Sequence, residues 1–420
     1  MYDNLIHSTR NAQPSRNVVL VSIDWRRKGD GKTSLGIASI AATLKSAGIR
    51  YRLVESTIND RAFDLEQLQS RIQHALNEVG PGSLLGLGVF VWNDDAVCRL
   101  IKTLQLPEGT RVVLGGPQIS YMPAGKLEAA YPEAHLFVRG AGERAMLHLA
   151  QGVPLDQCGV HTAGDTDKGS HATLPLEGLP SPFVEGVVRI APEMRWETQR
   201  GCIFKCGFCQ HRDADGRMPT RMFDLERLQA ETELFARHGV KRISVLDPIF
   251  HTSDTHAIAV LNLLKQAGVT AKIALQCRFE MLTEAFLDAL QGLDVTLEFG
   301  LQTTSKAESR VIDRHNNMPK VEEKLAMVKQ RGIDFEVSLI YGLPTQTLAS
   351  FKESVDWCHR QKAPRIMAWP LMLLRGTPIY EQRDKYGLRE SVGKAIPIVV
   401  ASNSFSEADH RAMTQIAESL

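Results

Sequence analysis

From Met194 to Tyr380 the chain alternates six times between a short apolar, β-branched run and a longer amphipathic stretch. The runs are Arg195–Gln199, Arg242–Leu246, Lys272–Gln276, Val295–Phe299, Phe335–Tyr341 and Ile366–Leu371. The stretches between them, such as Leu225 to His238 and Ser350 to Arg360, have helical spacing. Parallel neighbours need a long crossover, and a helix is the usual one. The alternation therefore predicts a parallel sheet with helices outside it. Six βα units are too few to close an eight-stranded barrel. A partial, open (βα)6 TIM-type barrel over 191–380 is expected, with 381–420 as a C-terminal cap segment.

The N-terminal third repeats the logic. Val18–Ile23, Tyr51–Val54, Leu84–Val91 and Arg111–Leu114 read as buried parallel strands, and Leu35 to Leu44 as a helix stopped by Gly48. A Rossmann-like doubly wound sheet is expected over 16–152, after a tail at 1–15. Ligands in such sheets bind at the carboxyl ends of strands. Those ends read Asp24-Trp25-Arg26, Trp92-Asn93-Asp94-Asp95, Gly115-Gly116-Pro117-Gln118 and Arg139-Gly140-Ala141-Gly142-Glu143. Their glycines would let a ligand approach the backbone closely. Residues 153–190, rich in Gly, Ser, Thr, Asp and Pro, read as a linker.

Composition excludes several classes. The chain has 420 residues, a net charge of +1 and 43% hydrophobic residues. No charge excess points to nucleic acid, no apolar run has membrane-spanning length, and the first residues lack a signal-peptide core. A cytoplasmic protein is expected. Lys28 to Thr33 lies where a phosphate loop would, but Arg26 stands where that loop needs glycine, so nucleotide hydrolysis is not expected.

Seven cysteines are too few and too unevenly placed for a disulfide framework. Three of them, Cys202, Cys206 and Cys209, fall within eight residues as C-x3-C-x2-C. Cys98, Cys158, Cys277 and Cys358 read as small buried apolar residues. Three thiolates on one loop can hold three corners of a cubane cluster and leave the fourth iron open. A zinc site closed by His211 is the competing reading, but it lacks the usual second cysteine pair.

The run Arg200 to Cys209, with Phe208 before the last cysteine, resembles the signature of radical S-adenosylmethionine (SAM) enzymes. Glu298-Phe299-Gly300-Leu301-Gln302-Thr303 and Tyr341-Gly342-Leu343-Pro344-Thr345-Gln346-Thr347 resemble further segments of that superfamily. The resemblance implies a [4Fe–4S] cluster on the three cysteines. It also implies SAM on the open iron, cleaved by one electron to methionine and a 5′-deoxyadenosyl radical. Phe208, Asp247, Arg278, Glu298, Gln302, Ser338 and Gly342 are the expected cofactor contacts, and Glu298 and His251 the expected acid–base residues.

The N-terminal third resembles the cobalamin-binding domain ahead of many radical SAM barrels, through Ser34-Leu35-Gly36-Ile37, Leu114 to Pro117 and Val138 to Glu143. It lacks the D-x-H-x-x-G motif whose histidine ligates cobalt. Arg26, Arg27, Lys28 and Lys32 are candidates to meet cobalamin. Bound cobalamin and a domain kept for structural reasons both stay open.

The resemblance implies an enzyme acting on a small polar substrate. The first expectation is dehydration, deoxygenation or rearrangement of an aminosugar-like natural product. The alternative is cobalamin-dependent C-methylation. Either needs a flavodoxin- or ferredoxin-type electron donor or a partner reductase, and neither needs nucleic acid or membrane.

Overall fold

The computed structural model describes residues 15–27, 34–155, 159–172, 174–211, 218–394 and 396–420. Expectations for the tail at 1–14 and for Lys28, Lys32 and Cys158 lie outside the described residues. The chain divides into two compact units. One takes in the described residues of Met1–Arg26, Thr33–Pro175 and Leu179–Val188, and the other those of Arg27–Lys32, Leu176–Gly178 and Arg189–Leu420.

The first unit is built on strands β1 (Val18–Asp24), β2 (Tyr51–Thr57), β3 (Leu84–Gly88), β4 (Arg111–Gly115), β5 (Leu136–Val138) and β6 (Val160–Thr162). They lie in the order β2-β1-β3-β4-β5-β6, parallel except for β6. Helices α1 (Leu35–Ser46), α2 (Leu65–Val79), α3 (Asp94–Thr103), α4 (Pro117–Ser120), α5 (Leu127–Ala130) and α6 (Glu143–Gln151) complete it. The period of two along β1 explains the double winding. Val19, Val21 and Ile23 pack with α2 and α3, while Val18 and Leu20 pack with α1 and α6.

The expected α/β architecture stands, with a correction at its far edge. Only the carboxyl end of the three-residue strand β5 shows in the sequence, and β6 escapes a pattern reading altogether, because so short a run has no measurable period. Strand β6 falls inside the segment read as a linker, and Asp167 within that segment is anchored to buried Arg139 at 2.6 Å. The segment is thus partly sheet and partly docked loop.

The second unit carries a parallel sheet in the order β14-β13-β12-β11-β10-β7. Its strands are β7 (Glu193–Trp196), β10 (Arg242–Val245), β11 (Lys272–Cys277), β12 (Val295–Gln302), β13 (Asp334–Tyr341) and β14 (Ile366–Pro370). A separate antiparallel pair, β8 (Gln199–Cys202) and β9 (Met218–Met222), interrupts the chain after β7. The outer helices are α7 (Leu225–Arg237), α8 (Asp254–Gln266), α9 (Glu284–Ala289), α10 (Lys306–Val311), α11 (Met318–Gln330) and α12 (Leu348–Arg360). Beyond the short helix α13 (Pro378–Glu381), strands β15 (Arg389–Glu390) and β16 (Val399–Ala401) pair, and helix α14 (Glu407–Glu418) packs on α12, β13 and β14.

Local chemistry sets these boundaries. Helix α12 opens with a capping box between Thr347 and Ser350, and α14 with one between Ser406 and Asp409. Strand β12 is buried over Val295–Leu297 and from there alternates, with Glu298, Gly300 and Gln302 on the less buried face. Among the described residues no helix is long and apolar enough to cross a membrane.

Candidate active site

The cysteine loop does not spring directly from β7. It begins on β8, whose start is held by Asp247. The Asp247 carboxylate accepts from the backbone N–H of Thr198 (2.8 Å) and Gln199 (3.2 Å) and from Thr198 Oγ1 (2.5 Å). Gly201 then sits at φ 100°, where a Cβ would lie 2.2 Å from the Pro219 carbonyl of β9. Only glycine lets the two strands approach this closely just before Cys202.

The loop itself is docked from three sides. Gly207 N–H donates to the Ile312 carbonyl (2.7 Å), and the Gly207 carbonyl accepts from Ile379 N–H (3.1 Å). Gln210 Nε2 donates to the Arg375 carbonyl (2.9 Å), and Lys205 pairs with Asp313 at 3.4 Å. Arg278 stacks 3.7 Å from the Phe204 ring centroid while paired with Glu280 at 3.2 Å. Arg314 points Nη1 at Cys206 Sγ, 3.5 Å away.

All three cysteines are free, with Cys202 and Cys206 buried and Cys209 half-buried. Burial raises the Cys202 thiol and lifts that of Cys209 to about 11, and in both the neighbouring cysteine sulfurs add to the rise. Clustered thiols that ionise reluctantly are what a ligand set looks like before positive metal compensates it. Among the described residues no three His, Cys, Asp or Glu side chains converge as ligands to a single ion. Three cysteines of a cubane each bind a different iron, so they need not converge. The donor set thus suits a cluster better than zinc.

One face of the sheet carries polar and half-buried side chains. Leu246 and Trp369, two large apolar residues at strand ends, remain 42% and 38% exposed. Glu298 and Glu336 sit at paired positions on β12 and β13, and Gln276 of β11 donates to Glu298. Burial, and then the negative charge of Glu336, push the Glu298 carboxyl up to about 7, against Arg242, Arg27 and Arg365. Strand β12 bulges between Gly300 and Gln302, and Gln302 adopts φ 71°. A non-glycine residue held there is strained, and such strain gathers at functional sites. Ser338 pairs in register with Gly300 and is half-buried.

Other expected site residues are placed elsewhere. Asp247 is fully buried with both carboxylate oxygens engaged, so it props the hairpin instead of meeting a ligand. His251 is 2% exposed, stacked 4.1 Å from Phe286 of α9, with Nε2 2.5 Å from Asp254. It is sealed in the helical layer and lacks the access an acid–base residue needs. Gly342, at φ 85°, lies in ordinary contact range of the Val399 carbonyl (3.4 Å) and Phe405 (3.8 Å) of the C-terminal segment. Arg278 is consumed by Phe204 and Glu280. Phe208 stays half-buried in the loop.

Two features are not nominated from the sequence. The first is Arg314. The second is a buried network that joins the motif-like segments after β12 and β13. Glu308 accepts from Thr303 Oγ1 (2.6 Å) and Gln346 Nε2 (3.2 Å), and Gln346 Oε1 accepts from Gly342 N–H (2.7 Å). Thr303 and Gln346 are therefore structural members of those segments. Polar residues repeated in two strand-end loops were the available cue.

In the first unit several strand-end groups bond to one another. Trp92 Nε1 and Asn93 Nδ2 both donate to the Ile23 carbonyl (3.0 and 2.9 Å), across the β1/β3 switch point. Gln118 and Tyr131 donate to Asp94. A Cβ on Gly116 would lie 2.7 Å from the Val89 carbonyl, and one on Gly140 2.7 Å from that of Ala172. The close approaches expected for a ligand are thus taken by backbone. Arg26 N–H donates to Asn59, and Arg27, which groups with the second unit, lies 4.5 Å from the Trp369 ring centroid.

Comparison with known proteins adds the family. Residues 196–358 match the family model of the radical SAM superfamily. The chain is 28% identical over 372 residues to the cobalamin-dependent radical SAM methyltransferase TokK of Streptomyces tokunonensis, covering 78% of this chain and 53% of that protein. It is 28% identical over 349 residues to 2-(S-pantetheinyl)-carbapenam-3-carboxylate methyltransferase of Streptantibioticus cattleyicolor, covering 73% and 49%. The chain thus spans about half the length of these curated relatives. The fold is shared with the radical SAM methyltransferase TsrM of Kitasatospora setae, at a TM-score of 0.75 and 15% identity over 96% of this chain and 89% of that one. With a three-cysteine loop docked at the head of a six-stranded parallel sheet, residues 196–358 carry a radical SAM domain, and the chain around it is similar to cobalamin-dependent radical SAM methyltransferases in sequence and shares its fold with one of them.

Proposed function

We propose that this protein is a cobalamin-dependent radical SAM methyltransferase acting on a small polar molecule. The observation that carries the reading is the reach of the similarity to TokK. It covers 78% of the chain, more than either unit alone supplies, so it takes in sheet and barrel together. The relatives support methyl transfer over the dehydration or deoxygenation expected first.

In this reading Cys202, Cys206 and Cys209 hold a [4Fe–4S] cluster, whose hydrophobic and cationic surroundings come from Phe204, Arg278 and Arg314. When bound, cluster and SAM supply one-electron cleavage of SAM, and cobalamin supplies a methyl carrier. Glu298, Gln302 and Ser338 are left on the inner wall to orient SAM and substrate. Glu298, with its carboxyl near 7, can hold or release a proton at Oε2, where Gln276 fixes its orientation. Arg278 keeps Phe204 folded over the loop and limits water there. The electron comes from a low-potential flavodoxin- or ferredoxin-type donor in a reducing compartment.

For cobalamin the fit is partial. The described strand-end residues 24–27, 88–93, 115–118 and 139–142 include no histidine, cysteine or methionine to ligate cobalt. No step of the mechanism is therefore derived through it.

The test is anaerobic purification with hydroxocobalamin, iron and sulfide supplied, followed by a visible spectrum and assay of labelled methyl transfer from SAM. One corrinoid per chain with label in a small-molecule product is expected. A reconstituted cluster with no corrinoid retained overturns methyl transfer and restores the dehydration reading.

A further inference from the structure

We infer that Arg314 is a positioning and tuning residue for the cluster: its guanidinium donates an N–H···S bond to the ligand Cys206 and so raises the cluster's reduction potential. The inference rests on the proposed cluster on Cys202, Cys206 and Cys209.

Four observations carry it. The Arg314 side chain is buried, at 8% exposure, at the turn that follows α10. Nη1 lies 3.5 Å from Cys206 Sγ, and Nη2 donates to the Gly300 carbonyl on the bulge of β12. Among the described residues no carboxylate forms an ion pair with it, whereas neighbouring Arg278 has Glu280. Its turn is fixed to the cysteine loop on both sides of Cys206, by Gly207 N–H to Ile312 and by Lys205 to Asp313.

A buried guanidinium without an anion is costly, and near a second guanidinium more so. Glu280, paired with Arg278, acts on Arg314 through space without an ion pair, and an anion within bonding distance would offset the remaining cost. The cysteine sulfurs are the acceptor in reach, and a thiolate-ligated cluster is that anion. Its negative charge grows by one on taking an electron from the external donor. A fixed positive charge and an N–H···S bond stabilise the more negative state, so they make reduction easier. Arg314 also links two walls, since the same guanidinium that touches Cys206 anchors the bulge that presents Gln302.

The experiment is redox titration of the reconstituted wild-type, R314K and R314M proteins, followed by the EPR signal of the reduced cluster. R314M is expected to shift the midpoint downward, so that at a fixed poise the reduced-to-oxidised ratio falls about tenfold, which is 59 mV for one electron. R314K, which keeps charge but not the forked geometry, is expected to fall between. Midpoints that do not move overturn the inference. Should R314M not fold, wild-type protein grown with 15N-arginine supplies the second arm. A 15N coupling to the reduced cluster that disappears in R314K is expected, and a coupling that is absent from wild type or unchanged in R314K overturns the inference. If wild-type protein loads no cluster, the proposed function falls and takes this inference with it, a result distinct from a cluster whose potential ignores Arg314.

Discussion

The N-terminal sheet and the barrel both finish their parallel strands in polar, glycine-bearing loops, yet the loops are used differently. In the first unit the loops satisfy one another: Asn93 and Trp92 cap Ile23, Gln118 and Tyr131 bind Asp94, and Gly116 and Gly140 receive backbone. In the second unit the polar groups include Glu298, Gln302 and Ser338 on the half-buried face of their strands, and a cysteine loop backed by an arginine that forms no ion pair among the described residues. The same sequence cue, polar residues and glycine at strand ends, thus marks a self-closed edge in one place and a site in the other. What separates them is the hydrogen-bond ledger of the buried groups, which pattern does not reveal.

The largest effect expected is at the open end. Cys206→Ala should reduce cluster content and SAM cleavage to background while leaving the circular dichroism of the protein intact; a variant that still cleaves SAM would refute the ligand assignment. At the closed end, Arg139→Met should cost about 3–5 kcal/mol of the first unit's stability. It leaves three carbonyls of the turn after β4 without their side-chain donor and Asp167 with only the Gly125 and Gly169 N–H groups. Hydrogen exchange of β4 and β5 should speed up with the cluster absorption unchanged, and loss of both together would mean the contrast between the units is overdrawn.

Asp247 tests the border between prop and ligand. Asp247→Asn can keep the bonds to Thr198 and Gln199 and should retain SAM binding, whereas Asp247→Ala should lose about 2–4 kcal/mol by orphaning buried donors. Equal loss of SAM binding in both variants would return Asp247 to the site.

The smallest effect concerns pH. Glu298 is raised to about 7 by burial and Glu336, with Arg242, Arg27 and Arg365 opposing. A carboxyl raised on folding contributes stability that is present below its unfolded value and lost as pH rises through its folded value. Between pH 6 and 8.5 wild-type Tm should therefore fall more than that of Glu298→Gln, by an amount worth at most ~1 kcal/mol. Parallel falls would show that Glu298 titrates normally.

Both parallel sheets are legible in the sequence because buried strands and amphipathic helices carry different periods over many residues. The cysteine loop is legible because its spacing has few other uses. Strand β6 is not, and β5 shows only by the glycine-bearing loop at its end, being three residues each. The strand-end rule nominated Asp247 and His251 by position, yet it cannot tell a side chain turned inward from one turned into the helical layer. Arg314 and Glu308 belong to no motif, and their importance arises from what the fold brings beside them, Cys206 in one case and Thr303 with Gln346 in the other.

The most direct measurement is Mössbauer spectroscopy of protein reconstituted with 57Fe, recorded with and without SAM. Three cysteine ligands predict a [4Fe–4S] cluster in which one iron differs from the other three and changes its signal when SAM is added. Four equivalent irons indifferent to SAM, or iron that never assembles into a cluster on these cysteines, would contradict the account.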